Sequence, residues 1–329
     1  MGLLDRFVRM TKENVDEHGV RGLAKTATAT AEFASREARY RAFHRDEATN
    51  VYERDWDLLV LLDSARVDMM NEVADEYDFI DEVGEHVSPG TTSSEWMFRT
   101  FTGDYSDEMA ETLHVTSNTS SDQFLSEEQF YHLEEVWRDG WDTELETIPA
   151  RAVTDRVIHF ARQHDTDRII AHYMQPHLPF VDSEIDSRAV TPHGTTGSGP
   201  GLEALHKEEG YSTDELWEAS VDNLRYVLDD VELLLSNVDA DRVVISADHG
   251  QAFGEQGVWR HPGGTYIDVL ARVPWCVTSA TDDDTYTPDF PAESVAKTTS
   301  VSTRSWRRWD TSDERCRGAG AAIGRPVSR

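Results

Sequence analysis

The chain predicts an α/β fold, a mostly parallel central sheet with helices on both faces and an N-terminal helical arm, on three observations. Short apolar runs recur at Leu58–Leu62, Asp167–Tyr173 and Arg242–Ala247, each bounded by polar residues as buried parallel strands are. Segments with helical spacing, Ile148–His164 and Ser212–Val238, lie ahead of the second and third of these runs. Two of the runs stop at acids, Asp63 and Asp248, and carboxyl ends of strands are where open α/β sheets bind their ligands. Strand alternating with helix argues for a sheet covered on both sides.

Taken in order, residues 1–54 form the arm. They carry ten Lys and Arg against nine Asp and Glu, and Leu3, Leu4, Phe7, Val8, Val15, Val20 and Leu23 recur at helical spacing, loosely continued by Ala27, Ala31, Phe33 and Ala34. Such helices either pack on the chain's own main domain or lie on a membrane surface or partner. The main domain spans 55–299. After Leu58–Leu62 comes helical sequence through Met70, a short strand at His86–Ser88, and the hydroxyl-rich Pro89-Gly90-Thr91-Thr92-Ser93-Ser94-Glu95-Trp96 opening a helix. Ser and Thr there accept the free amide protons of a first helical turn. Leu113–Thr116 reads as a strand. Residues 181–210 read as loop, with TPHGTTGSGPG its most flexible part. Ser212 with Glu215 three residues on forms a capping signature for the long helix that follows. Residues 300–329 are an atypical basic tail, with seven arginines against three acids from Val301 onward. It reads as disordered, whether native or the product of a shifted reading frame.

With 31 basic and 63 acidic residues the net charge is -32, which repels nucleic acid and anionic lipid. An acidic surface of this kind suits a saline cytoplasm, where screening weakens self-repulsion. Two cysteines, Cys276 and Cys316, make no disulfide framework and suggest a reducing compartment. No apolar run reaches the roughly 18 residues of a membrane span. The expectation is a halophile-type cytoplasmic protein, with residues 1–54 as its one route to peripheral contact at the inner membrane surface.

Asp63, the hydroxyls at 91–94, His177, Asp248, His249 and His261 are the polar residues collected near strand ends. Two carboxylates, an imidazole and a hydroxyl offer a mainly hard donor set to one divalent cation; Mn, Ca and Zn all suit it. The segments VLLDSARVD, SPGTTSSEW followed by FTG, AHYMQPHLPF, and ISADHGQAFGEQG with RHPGG and RVPW together resemble the alkaline phosphatase superfamily in its sulfatase-like branch, over roughly residues 55 to 277. The resemblance implies that Asp63, Asp248 and His249 hold the metal, that Thr91 or Thr92 is both ligand and nucleophile, and that His177 and His261 face the substrate, one protonating the leaving oxygen. Thr91 lies four residues before Glu95; Thr92 fits a G-x-T-S spacing. A phosphate or sulfate ester, on a lipid head group or glycan, is the implied substrate, with hydrolysis, transfer to an acceptor, or a catalytically silent binding role as the outcomes. SPGTTSSEW lacks the C/S-x-P-x-R of formylglycine enzymes. Gln175 stands where two-zinc members need a carboxylate, so a single metal is expected.

Overall fold

The computed structural model describes residues 31, 34–42, 44–181, 183–187 and 201–289, all within a unit spanning Met1–Asp289. The helical spacing expected through residue 30, the stretch at 188–200 and the basic tail after residue 300 lie outside the described residues.

The strands, in chain order, are β1 Leu58–Leu62, β2 Gly84–Val87, β3 Thr112–Thr116, β4 His132–Glu135, β5 Arg168–Tyr173, β6 Ala240–Ser246, β7 Ala252–Phe253, β8 Trp259–Arg260 and β9 Arg272–Ala280. Seven form one sheet in the order β2-β9-β6-β1-β5-β3-β4, while β7 and β8 pair separately as a small hairpin. The pairs β6–β1, β1–β5, β5–β3 and β3–β4 are parallel, and β9 alone runs against its neighbours. The mostly parallel α/β sheet is therefore as the sequence predicts. The reversed β9 carries Cys276, which is buried and free.

β1 is the central strand, and all five of its residues are fully buried. Leu59 and Leu61 point into a cluster with Trp56, Trp96, Phe101, Met109 and Trp275, while Leu58, Val60 and Leu62 face the opposite side. Two apolar faces leave no room for the polar alternation of a half-solvated strand, and each such leucine contributes about 2 kcal/mol by leaving water.

The principal helices are α1 at residues 34–42, α2 Val67–Val73, α3 Ser93–Thr100, α4 Ala150–Ala161 and α5 Thr213–Leu235. The start of α5 is a full capping box: Ser212 Oγ accepts from the Glu215 amide and Glu215 reaches back to the Ser212 amide. Its apolar stripe, including Leu216, Leu224, Val227, Leu228 and Val231, is buried. No described helix is long and apolar enough to cross a membrane.

β4, with sequence HLEE, is not an apolar run. It lies at the sheet edge with every residue half-buried, so edge position rather than composition admits it.

Candidate metal centre

Asp63 follows β1 directly, Asp248 and His249 follow β6, and Asn118 follows β3, so neighbouring parallel strands deliver their polar residues to one end of the sheet. Ser64 turns the chain away from β1 at a φ of 71°, and its hydroxyl donates to Asp63 Oδ1 at 2.9 Å. Gly250 has no left-handed backbone. It is required by proximity: a Cβ there would stand 2.0 Å from the Val269 carbonyl oxygen, and the Gly250 amide donates to Leu270 O at 2.9 Å.

Asp63, Asp248 and His249 converge with one donor atom each inside a 4.8 Å circle, all buried. His249 Nε2 lies 3.6 Å from Asp63 Oδ1 and 3.5 Å from Asp248 Oδ2. On its far side His249 Nδ1 donates to Gly250 O at 2.9 Å, which leaves the Nε2 lone pair facing the two carboxylates. Burial pushes the His249 imidazole down, but Asp248 and Asp63 outweigh it and raise its affinity for positive charge. Burial pushes Asp248 up; His249 and His172 outweigh it and hold the carboxyl far below its ordinary range. Asp248 Oδ1 accepts from the His249 amide at 2.9 Å and the Ser64 amide at 3.4 Å, whereas Oδ2 is buried with no hydrogen bond. A buried carboxylate oxygen aimed at another carboxylate and an imidazole lone pair is the arrangement a divalent cation would satisfy. The residues therefore fit one metal.

The hydroxyl that reaches this trio belongs to Ser93, the first residue of α3. Its Oγ donates to Asp63 Oδ2 at 3.2 Å and lies 3.3 Å from His249 Nε2. Thr92 is the N-cap, its Oγ1 accepting from the Glu95 amide at 3.1 Å. Thr91 Oγ1 donates to Glu95 Oε2 at 3.1 Å and accepts from the Gly264 amide at 3.1 Å. Both threonines direct their hydroxyls elsewhere, and of the three it is the Ser93 hydroxyl that lies against Asp63 and His249. The physical reason is the cap: once Thr92 takes the N-cap position, the next residue on the helix faces β1.

Asn118 was not singled out by the sequence, yet its Nδ2 donates to Asp63 Oδ2 at 2.8 Å from a buried position. His172, interior to β5, places Nε2 3.7 Å from Asp248 Oδ2. Asn118 carries no motif signal, and His172, although inside the AHYMQPHLPF segment, is not among the polar residues collected as site candidates. A lone Asn after a strand and a histidine inside one are indistinguishable from structural residues until the sheet is assembled.

His177 and His261 are brought together, Nε2 to Nε2, at 3.1 Å. His177 Nδ1 donates to Leu178 O at 2.8 Å, so His177 Nε2 is the acceptor and His261 Nε2 the donor. The His261 ring stacks on His249 with centroids 4.5 Å apart, which puts the pair beside the trio. Burial, with His249 and His177 alongside, pushes His261 well below the ordinary histidine range and keeps it neutral. The His177 loop is stapled by Asn223, fully buried on α5: its Nδ2 donates to Pro176 O at 3.0 Å and its Oδ1 accepts from the Val181 amide at 3.0 Å.

No family model matches this chain, and no curated protein matches it. Among solved structures, it is similar to the soluble domain of lipooligosaccharide phosphoethanolamine transferase A from Neisseria meningitidis, at 13% identity over 68% of this chain and 76% of that one, with a TM-score of 0.47. It is similar to the phosphonate monoester hydrolase of Agrobacterium radiobacter at 12% identity over 68% of each chain, with a TM-score of 0.42. A third similar structure is a protein in the alkaline phosphatase superfamily from Vibrio parahaemolyticus, at 10% identity over 70% of this chain and 61% of that one, with a TM-score of 0.38. The solved structures that this chain resembles thus include alkaline phosphatase superfamily members, and at such identities the likeness is one of fold.

Proposed function

We propose that this chain is a metal-dependent ester hydrolase acting on phosphate or sulfate monoesters or diesters, with Ser93 as the nucleophile. The observation that supports it most directly is the Ser93 hydroxyl set between Asp63 Oδ2 and His249 Nε2 at the start of a helix. Asp63, Asp248 and His249 would hold one divalent cation, and when bound it would supply positive charge that lowers the pKa of a neighbouring hydroxyl and neutralises nonbridging oxygens.

The chain's own residues account for the rest. Asp63 Oδ2 accepts a hydrogen bond from the Ser93 hydroxyl and so orients it. The first-turn amides of α3 that the Thr92 cap does not use would face the anionic ester, where the helix dipole favours negative charge. Attack by Ser93 Oγ would form a covalent seryl ester and release the alcohol. The His177–His261 pair, joined Nε2 to Nε2, would protonate the departing oxygen once it has taken up a proton from solvent, since both rings are neutral at rest. Water, or an acceptor alcohol in a transfer reaction, would then resolve the intermediate. Phosphate suits an unmodified serine better than sulfate, because a seryl phosphate has a ready hydrolytic exit.

The test is turnover of 4-nitrophenyl phosphate, bis(4-nitrophenyl) phosphate and 4-nitrophenyl sulfate by metal-loaded protein in high salt. Asp248→Asn and Ser93→Ala are each expected to lower kcat by about 100-fold or more, and chelation to abolish it. A Ser93→Ala variant that turns over like the parent, beside a Thr91→Ala variant that does not, would return the nucleophile to Thr91.

A further inference from the structure

The chain spends most of its charge on acids, yet α1 carries Arg36 and Arg39 to one turn, Gly263–Gly264, which follows His261. That placement is fixed by several contacts. Glu37 accepts from Arg99 at 2.8 Å, the Arg99 guanidinium lies 3.7 Å over the Tyr40 ring, and His44 stacks on Tyr266 at 4.4 Å. The turn they reach is Gly263–Gly264, two and three residues after His261 and tied to the start of α3 by the Gly264 amide on Thr91 Oγ1. A Cβ on Gly263 would meet Arg36 Nη1 at 2.7 Å, and one on Gly264 would meet Arg39 Nη2 at 2.9 Å. Glycine at both positions is what lets the guanidinium groups close on the turn, and Gly264 also adopts a φ of 71°.

Neither arginine is used up by this packing. Arg36 approaches Glu95 no closer than 4.0 Å and keeps 44% of its side chain exposed. Arg39 is exposed and has no ion pair among the described residues. The cations that pack structurally nearby behave otherwise: Arg99 is bound to Glu37 and Arg66 is bound to both Asp68 and Glu255. Two forked cations with no ion pair closer than 4.0 Å among the described residues, set against the turn that follows His261 on a strongly acidic protein, form a place for a second anion.

We propose that Arg36 and Arg39 form an anion subsite of the active site. The preferred substrate would then carry, beyond the ester being cleaved, another negatively charged group on the departing alcohol. This rests on the function proposed above and goes further by assigning a substrate class, an ester of an anionic alcohol, and by making α1 one wall of the site.

The experiment compares benzylphosphonate, which has one anionic group, with 4-carboxybenzylphosphonate, which has two. Both bind without being hydrolysed, and their affinities are read by calorimetry on the full, Mn-loaded chain at fixed ionic strength. The two-anion probe is expected to bind about tenfold tighter to the parent, with the preference falling below about twofold in R36Q/R39Q and by part of that in R39Q alone, whose side chain is solvent-facing. Equal affinities in the parent, or a preference that survives in R36Q/R39Q, would overturn the subsite while benzylphosphonate binding still upheld the catalytic reading. Failure of both probes to bind the parent would overturn both.

Discussion

His86 lies on β2 with its ring 4.9 Å from Trp275 and only 3% exposed, and it gives the fold a dependence on pH that can be isolated. Burial, reinforced by the Arg54 guanidinium 3.3 Å from Nδ1, pushes its pKa from 6.5 down to about 3. The unfolded chain therefore binds a proton between about pH 6.5 and pH 3 that the folded chain does not. Stability from this residue is fully present above pH 6.5 and is lost as pH falls through that window. At pH 5 the loss is about 2 kcal/mol, from 1.36 kcal/mol per unit over about 1.5 units, and at pH 4 about 3 kcal/mol. The perturbation is His86→Gln, which removes titration and keeps polarity. Urea unfolding of parent and variant at pH 7.5 and pH 5 gives two differences in free energy. The variant's loss between these pH values should be smaller than the parent's by about 2 kcal/mol. Other buried histidines, including His114, act equally in both proteins and cancel. Identical losses would refute the reasoning, showing that His86 is protonated without cost in the fold.

Asn118→Ala should weaken binding of the cation by about 10- to 100-fold in a fluorescence-detected metal titration, because it removes the donor that orients Asp63; an unchanged affinity would show that Asp63 is held without it. Gly250→Ala drives a methyl against the Val269 carbonyl and should cost at least about 3 kcal/mol in urea unfolding, an unchanged midpoint being the contrary result.

The central strands were legible because burial on both faces demands an unbroken apolar run: Leu58–Leu62 is apolar throughout, and in Arg242–Ala247 the apolar Val243–Ile245 lies between the exposed Arg242 and the buried Ser246. The long helix was legible because Ser212 and Glu215 mark its start. Asp63, Asp248 and His249 were legible as a group because each sits at or just past such a run. The hydroxyl was not. Thr91, Thr92 and Ser93 are chemically near-equivalent in sequence, and which of them faces Asp63 follows from which one takes the N-cap, a matter of helix phase settled by Trp96 packing into the core. The arginine pair was hidden for a different reason. Arg36 lies more than 200 positions before Gly263, and nothing in a charge pattern brings a helix near the chain's start to a turn near its end.

The assembly of Asp63 with Asp248 has a consequence for biosynthesis. Ser64 and Asp248 are 184 residues apart yet joined by a hydrogen bond, so Asp63, Asp248 and His249 come together only after β6 has paired with β1. A nascent chain that has emerged through β5 carries one carboxylate of the site and no means of retaining metal. A cation held by this trio would thereby load only once β6 has joined β1, and would report on completed assembly: its binding to the folded chain alone would add about 2.7 kcal/mol at a free concentration 100 times Kd.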